Sequence, residues 1–312
     1  MGTYCFGVDV GGTTVKLGLF STEGTLLDKW EIKTRTEDGG KLIIPDIAAS
    51  IEAKIQEKGI DKADVEGVGV GVPGPVDGHG IIHNAVNLGW GVFNVKEELN
   101  ALINMHVEVG NDANVAALGE MWQGGARGYQ DVVLATLGTG VGGGIIINGK
   151  ILTGSIGAAG EIGHIHVEDD ETDSCGCGNV GCLEQYASAT GVVRLANRKL
   201  ASCDTPSSLR GIEVTAKDVW DAVKAGDALA IEVAEKFGWY LGRAFANIGN
   251  VVNPEIFVLG GGVSKAGDVL IDYVKKYYRP IAFHASKDVQ FGLAQLGNDA
   301  GIYGSAKMVL ND

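Results

Sequence analysis

Apolar and polar positions alternate with the two-residue period of a strand at the start of the chain. The stretch T-Y-C-F-G-V-D-V at 3–10 does so, and T-T-V-K-L-G-L-F at 13–20 repeats it after G-G. A third alternating stretch at 26–34 extends the hairpin to an antiparallel meander. The period then changes. Pro45, Ile47, Ala48, Ile51 and Ile55, followed by Gly59, predict an amphipathic helix over one face of that sheet. V-E-G-V-G-V-G-V at 65–72 reads as a strand running into the rigid turn P-G-P-V-D, and M-H-V-E-V at 105–109 as another. Asn111 or Asp112 opens a helix whose predicted apolar face is Val115, Ala116, Leu118 and Met121.

From residue 113 a second half begins. D-V-V-L-A-T-L-G leads through T-G-V-G-G-G into I-I-I-N-G, a strand, glycine turn and strand like those that open the chain. Helices are predicted at 184–201, 215–225 and 227–250, the last with a buried stripe of Ala230, Val233, Ala234, Phe237, Leu241 and Phe245. Strand E-I-F-V precedes the glycine turn L-G-G-G-V-S at 259–264, and a helix is expected from Lys265 to Tyr278. The C-terminal A-G-I-Y-G-S-A-K-M-V-L predicts a final helix that packs back on the first domain. The expected division is a small α/β domain of residues 1–112 with 299–312 added, and a large α/β domain of 113–298, with a cleft between them. No stretch rich in Pro, Ser or charge separates the two, so short hinges are expected.

Composition narrows the classes. The 312 residues are 45% hydrophobic and 21% charged, which is globular. A net charge of -14 argues against nucleic-acid and anionic membrane surfaces, because both need clustered Lys and Arg. Neither a signal peptide nor a membrane-length apolar run is visible, so a cytoplasmic location is expected. The chain has 49 glycines without a collagen period, and we expect many turns to bring backbone close to a ligand.

Those turns are where the candidate chemistry lies. Gly11 and Gly12 let backbone N–H groups converge on an anion, with Thr13, Thr14 and Lys16 adding hydroxyls and charge. An ordinary glycine hairpin explains the same residues. Asp9 weighs against that reading, since a carboxylate at the edge of an anion pocket suits a bridging cation such as Mg2+. The second glycine turn offers donors of the same kind, and two repeated turns suggest two domains facing one nucleotide, while the glycines of the third would let a flat base lie against the backbone. Between them, Cys175, Cys177 and Cys182, with His164 upstream, can supply the four tetrahedral positions of a closed zinc site. Glu161 and Glu184 then sit beside the two ends of that staple. A redox pair with a spare thiol is the alternative.

D-V-G-G-T-T-V-K, L-G-T-G-V-G-G-G, E-I-G-H, C-G-C-G-N-V-G-C-L-E and L-G-G-G-V-S occur in this order across nearly the whole chain. Together they resemble the ROK family, and most closely its bacterial glucokinases. The resemblance implies a duplicated ribonuclease H-like fold of the actin and hexokinase type. It also implies ATP, Mg2+, structural Zn2+ and a homodimer or tetramer. The implied reaction is phosphorylation of glucose at the 6-hydroxyl in glycolysis, with Asp112 as catalytic base. Gly74, Asn111, Asp112, Glu161, His164 and Glu184 would hold the sugar. Asp9, Gly11, Gly12, Thr13, Lys16, Gly138, Thr139, Gly140, Gly260, Gly261 and Gly262 would hold the nucleotide, and His164, Cys175, Cys177 and Cys182 the zinc. Asp9 stands so near the start that the DNA-binding domain of the family's repressors is expected to be missing. A kinase for fructose, mannose, N-acetylmannosamine or N-acetylglucosamine, a polyphosphate donor, and a sugar sensor without turnover remain the alternatives.

Overall fold

A computed structural model describes residues 2–310; residues 1, 311 and 312 of the expected domain ranges lie outside the described residues. The chain is an α/β protein that builds one sheet plan twice. Strands β1 (Tyr4–Val10), β2 (Thr14–Ser21), β3 (Leu26–Lys33), β4 (Val65–Val72) and β7 (Val107–Asn111) form a sheet in the order β3-β2-β1-β4-β7. Its first three strands are antiparallel, and β1, β4 and β7 run parallel. Strands β8 (Val132–Leu137), β9 (Val141–Ile147), β10 (Lys150–Ile151), β11 (Ile256–Gly260) and β12 (Gln290–Leu293) follow in the order β10-β9-β8-β11-β12, again with the last strands parallel. A short ribbon pairs β5 (Ile81–Ile82) with β6 (Phe93–Asn94). This is the duplicated ribonuclease H-like plan shared with actin and hexokinase.

Two compact units result. One comprises Met1–Gln130, Gly144–Gly160 and Gln295–Asp312, the other Asp131–Gly143 and Glu161–Ala294. In unit 1, α1 (Ile43–Lys58) buries Ile43, Ile44, Ile47, Ala48, Ile51 and Ile55 and ends on Gly59 in the left-handed region. It shares a core with Phe6, Val8, Val68 and Val70, the inward-facing positions of β1 and β4. Helix α2 (Val95–Ile103), which the periodicity did not predict, adds Val95, Leu99 and Ile103 to that core from nine residues capped by Asn94. On the opposite face lie α3 (Asp112–Gln123) and α9 (Ala300–Met308).

The glycines of β1 and β4 have a second use besides ligand turns. A Cβ on Gly7 would stand 1.9 Å from the carbonyl oxygen of Ile302, and one on Gly69 1.7 Å from that of Ser305. The C-terminal helix therefore lies backbone to backbone on the sheet, and Ser305 Oγ donates to the Val8 carbonyl at 2.7 Å. Glu120, a polar residue inside the stripe predicted for α3, is fully buried. Its carboxylate accepts from the backbone N–H groups of Gly125 (2.7 Å), Gln295 (2.9 Å) and Leu296 (2.9 Å), which ties α3 to the segment leading into α9. Ala116, expected on the buried face, is half-exposed, and Ala117 takes its place.

In unit 2, α5 (Ala189–Ser202), α6 (Ala216–Lys224) and α7 (Ala228–Val252) pack together, and the predicted stripe of α7 is buried throughout. Two expected helices differ in their bounds. The helix expected over 184–201 is broken at Ser188, whose extended backbone ends α4 (Glu184–Ala187) and caps α5 through a 2.9 Å bond from the Gly191 N–H. The helix expected from Lys265 begins at Asp268 as α8 (Asp268–Tyr278), because Gly267 at φ 83° interrupts the chain after a 3-10 turn. Among the described residues no helix is long and apolar enough to cross a membrane.

Candidate active site

In unit 1 the candidate residues collect at one edge of the sheet. Because β1, β4 and β7 are parallel, their carboxyl ends Val10, Val72 and Asn111 lie on the same side. Open α/β sheets bind ligands at that edge. The first glycine turn is fixed there by β3's end: Thr34 Oγ1 donates to the Gly11 carbonyl at 2.7 Å, and Thr34 N–H to Thr13 at 3.0 Å. Gly12 and Thr13 are left exposed at the tip. Asp9 pairs with Lys16 across the hairpin, and Lys16 Nζ reaches the Asn298 carbonyl at 3.0 Å. Burial pushes the Asp9 carboxyl up to about 6; Lys16 opposes the shift and Asp112 adds to it. Asp9 is thus a half-buried carboxylate with a second one nearby and a single lysine opposite, a donor that a divalent cation would suit.

Asn111 and Asp112 divide their roles clearly. Asn111 caps α3: its Oδ1 accepts from the N–H groups of Ala113 (3.0 Å) and Asn114 (3.2 Å), and its Nδ2 donates to the Gly74 carbonyl at 3.1 Å. Gly74 follows β4 in the P-G-P turn, so this bond joins the two strand ends. Asp112 is the first helical residue and is exposed, its Oδ1 accepting from Ala113 N–H at 2.8 Å.

Unit 2 gathers the rest. The 138–140 turn docks on α5, where Ala189 N–H donates to the Gly138 carbonyl and Thr190 Oγ1 to that of Thr139, both at 2.7 Å. Gly261, at φ 80°, crosses so close to Leu137 that a Cβ would meet its backbone at 2.6 Å. The turns at 138–140 and 260–262 are therefore adjacent. A Cβ on Gly140 would stand 2.2 Å from Glu184 Oε2, the oxygen that accepts from Val141 N–H at 2.9 Å. The absence of a side chain at 140 makes room for Glu184.

The zinc candidates converge through a small antiparallel pairing. His166 bridges Cys182, and Leu183 N–H donates to the Ile165 carbonyl at 2.9 Å, which lays the segment just after His164 beside the cysteine loop. Ligand atoms of His164, Cys175, Cys177 and Cys182 all lie within 4.8 Å of one another. Cys177 and Cys182 sulfurs are 3.6 Å apart and Cys175 Sγ lies 3.8 Å from His164 Nδ1. A tetrahedron with Zn–S near 2.3 Å has edges of about 3.8 Å, whereas a disulfide requires about 2.05 Å. The donor set therefore fits a closed metal centre. Glu184 Oε1 is 3.6 Å from Cys175 Sγ, and exposed Glu161 begins the 3-10 turn that carries His164.

One feature of this region had no local signal. Glu171, inside the acidic run E-D-D-E-T-D, is buried and accepts from Tyr186, Arg194 and Arg198. Burial pushes its carboxyl up, yet Arg198, Tyr186 and the other donors outweigh this and hold it well below the usual range. The arginines that neutralise it stand more than twenty residues away, beyond the reach of spacing rules.

The chain is similar to known proteins along nearly its whole length. The sequence model of the ROK family matches residues 5–312. A glucokinase from Halalkalibacterium halodurans is 46% identical over 97% of this chain and 94% of its own. A solved ROK family glucokinase from Streptomyces griseus, in complex with glucose and AMPPNP, is 34% identical with a TM-score of 0.73, covering 98% of each chain. A ROK hexokinase from Thermus thermophilus is 30% identical with a TM-score of 0.80, covering 97% of this chain and 96% of its own.

Proposed function

The chain belongs to the ROK family, and from that premise we propose that it transfers the terminal phosphoryl group of ATP to the 6-hydroxyl of glucose. The observation that supports this best is the separation of roles at the start of α3. Asn111 supplies the helix cap, and Asp112, the first residue of α3, carries an exposed carboxylate at the carboxyl edge of the sheet, the edge on which β1 carries Asp9.

A hexose is neutral and is recognised by groups that accept from several hydroxyls at fixed angles. Asn111, Asp112, Glu161, His164 and Glu184 are the residues that the family resemblance assigns to this role, and their side chains are of that chemistry. Asp112 orients the 6-hydroxyl and takes its proton as the new bond to phosphorus forms. The transition state of phosphoryl transfer is loose, so alignment and charge neutralisation supply most of the rate. Gly11, Gly12 and Thr13 of unit 1 and the turns at 138–140 and 260–262 of unit 2 offer backbone donors to the phosphates, and Lys16 adds a positive charge. Mg2+ bound with ATP would neutralise charge on the phosphates, with Asp9 as its protein partner. Zinc on His164, Cys175, Cys177 and Cys182 would be structural, since four protein ligands leave no position for water. With Nδ1 turned to Cys175, His164 keeps Nε2 for a sugar hydroxyl. The family resemblance supports a cytoplasmic homodimer.

A coupled assay for ADP release across a panel of hexoses tests the reading. Glucose should give the highest kcat/KM. A higher value for N-acetylglucosamine or mannose would change the substrate, and no turnover with any hexose would leave a sugar-binding protein instead.

A further inference from the structure

The acidic run at 168–173 has no part in the chemistry above, and spacing alone would make it a solvated loop. Two of its carboxylates instead face the interior of unit 2. The Glu171 side chain is 1% exposed and is gripped by Arg194 Nη2 at 2.7 Å and by Arg198 through both terminal nitrogens at 3.1 Å. Tyr186 Oη and the backbone N–H groups of Thr172 and Asp173 complete its shell. Asp173 bridges the same two arginines at 2.8 and 2.9 Å. Glu168 accepts from Tyr240 of α7 at 2.6 Å, and the Tyr240 ring stacks on Tyr186 with centroids 4.0 Å apart.

This network has a specific position in the chain. Glu171 lies between His164 and Cys175, so it sits within the loop that must close for the four ligands to meet. Tyr186 lies two residues after Glu184 on α4, which is a single turn long. Gln185 ties the same pieces together, donating to the Asp173 carbonyl at 2.8 Å and accepting from Cys182 N–H at 3.0 Å. The position of Glu184 therefore depends on both Cys175 and Tyr186, and Glu171 holds both segments through α5.

We propose that Glu171, clamped by Arg194 and Arg198, is a positioning residue that closes the metal loop and thereby sets the carboxylate of Glu184 for the hexose. The second half of this statement rests on the reading of Glu184 as a sugar ligand.

The test uses the full-length, zinc-loaded protein with Glu171→Gln, Arg198→Met and Arg198→Lys. Arg198 is 48% exposed, so its variants keep the fold even where Glu171→Gln does not. Two quantities are measured, the KM values for glucose and ATP, and the rate at which zinc passes to a chromophoric chelator. Loss of the clamp should raise the glucose KM about tenfold while the ATP KM stays within about twofold. Zinc release should accelerate about tenfold, with Arg198→Lys between Arg198→Met and the parent. Unchanged zinc release and unchanged glucose KM in the folded variants would overturn the proposal. So would faster release at constant glucose KM, because the clamp would then not reach Glu184. If the parent protein turns over no hexose, the functional reading fails by itself, and zinc release still decides whether the clamp closes the loop.

Discussion

Asp9, proposed as the partner of Mg2+, shows the cost of placing a carboxylate in a partly buried site. Its carboxyl titrates near 6 in the folded chain against 3.8 for the ordinary group, chiefly because burial disfavours the charge. Between those two values the unfolded chain has released its proton while the native one retains it, so stability falls as pH rises through that window. The full difference amounts to roughly 3 kcal/mol above pH 6. Asp9→Asn should therefore match the parent in Tm near pH 4 and exceed it increasingly up to pH 6.5, measured without Mg2+. Parallel melting profiles across that range would show that Asp9 is not buried as a charge. Adding Mg-ATP should stabilise the parent more than the variant. The sequence pointed to Asp9 through its place before G-G, and to Asp112 through its place after a strand. It left open which of Asn111 and Asp112 caps the helix, because both residue types do so; the bond from Asn111 to Gly74 comes from a segment 37 residues away.

At the scale of elements, strands and long helices were readable from their periods, and their ends were less so. Ser188 breaks a helix that its flanking apolar pattern continues, because a good cap outweighs propensity at one position. Helix α2 was missed because nine residues, of which three are buried, make too short a window for a period to stand out. The glycines were read only as ligand turns. At Gly7 and Gly69 they admit α9 instead, a contact across some 235 to 295 residues of chain that no local pattern encodes. Gly69→Ala should push that helix off the sheet and cost about 1–3 kcal/mol or more, lowering Tm by several degrees. An unchanged Tm would mean that the sheet and helix shift freely to accept a methyl group. For the cysteine loop, metal analysis should find one zinc per chain. Stripping it with a chelator should weaken glucose binding far more than ATP binding, since the loop carries Glu161, His164 and Glu184; full hexose affinity in metal-free protein would remove zinc from the account.

The whole molecule repeats one plan of three antiparallel and two parallel strands, and the repeat was visible as two glycine-threonine turns in two half-chains. The return of the C-terminal helix to the first domain was expected from the sequence, and the grouping of residues 144–160, which begin inside β9, with the first unit was not, because compactness is decided by packing partners and not by order along the chain. Each unit carries glycine turns, and the proposed chemistry is assigned to one side chain. The most direct measurement is therefore steady-state kinetics and ATP binding of Asp112→Asn with glucose. A lost general base should lower kcat by about 10²- to 10⁴-fold, with the dissociation constant for ATP within about twofold of the parent. A near-normal kcat would contradict the account and reduce Asp112 to the first residue of a helix that Asn111 already caps.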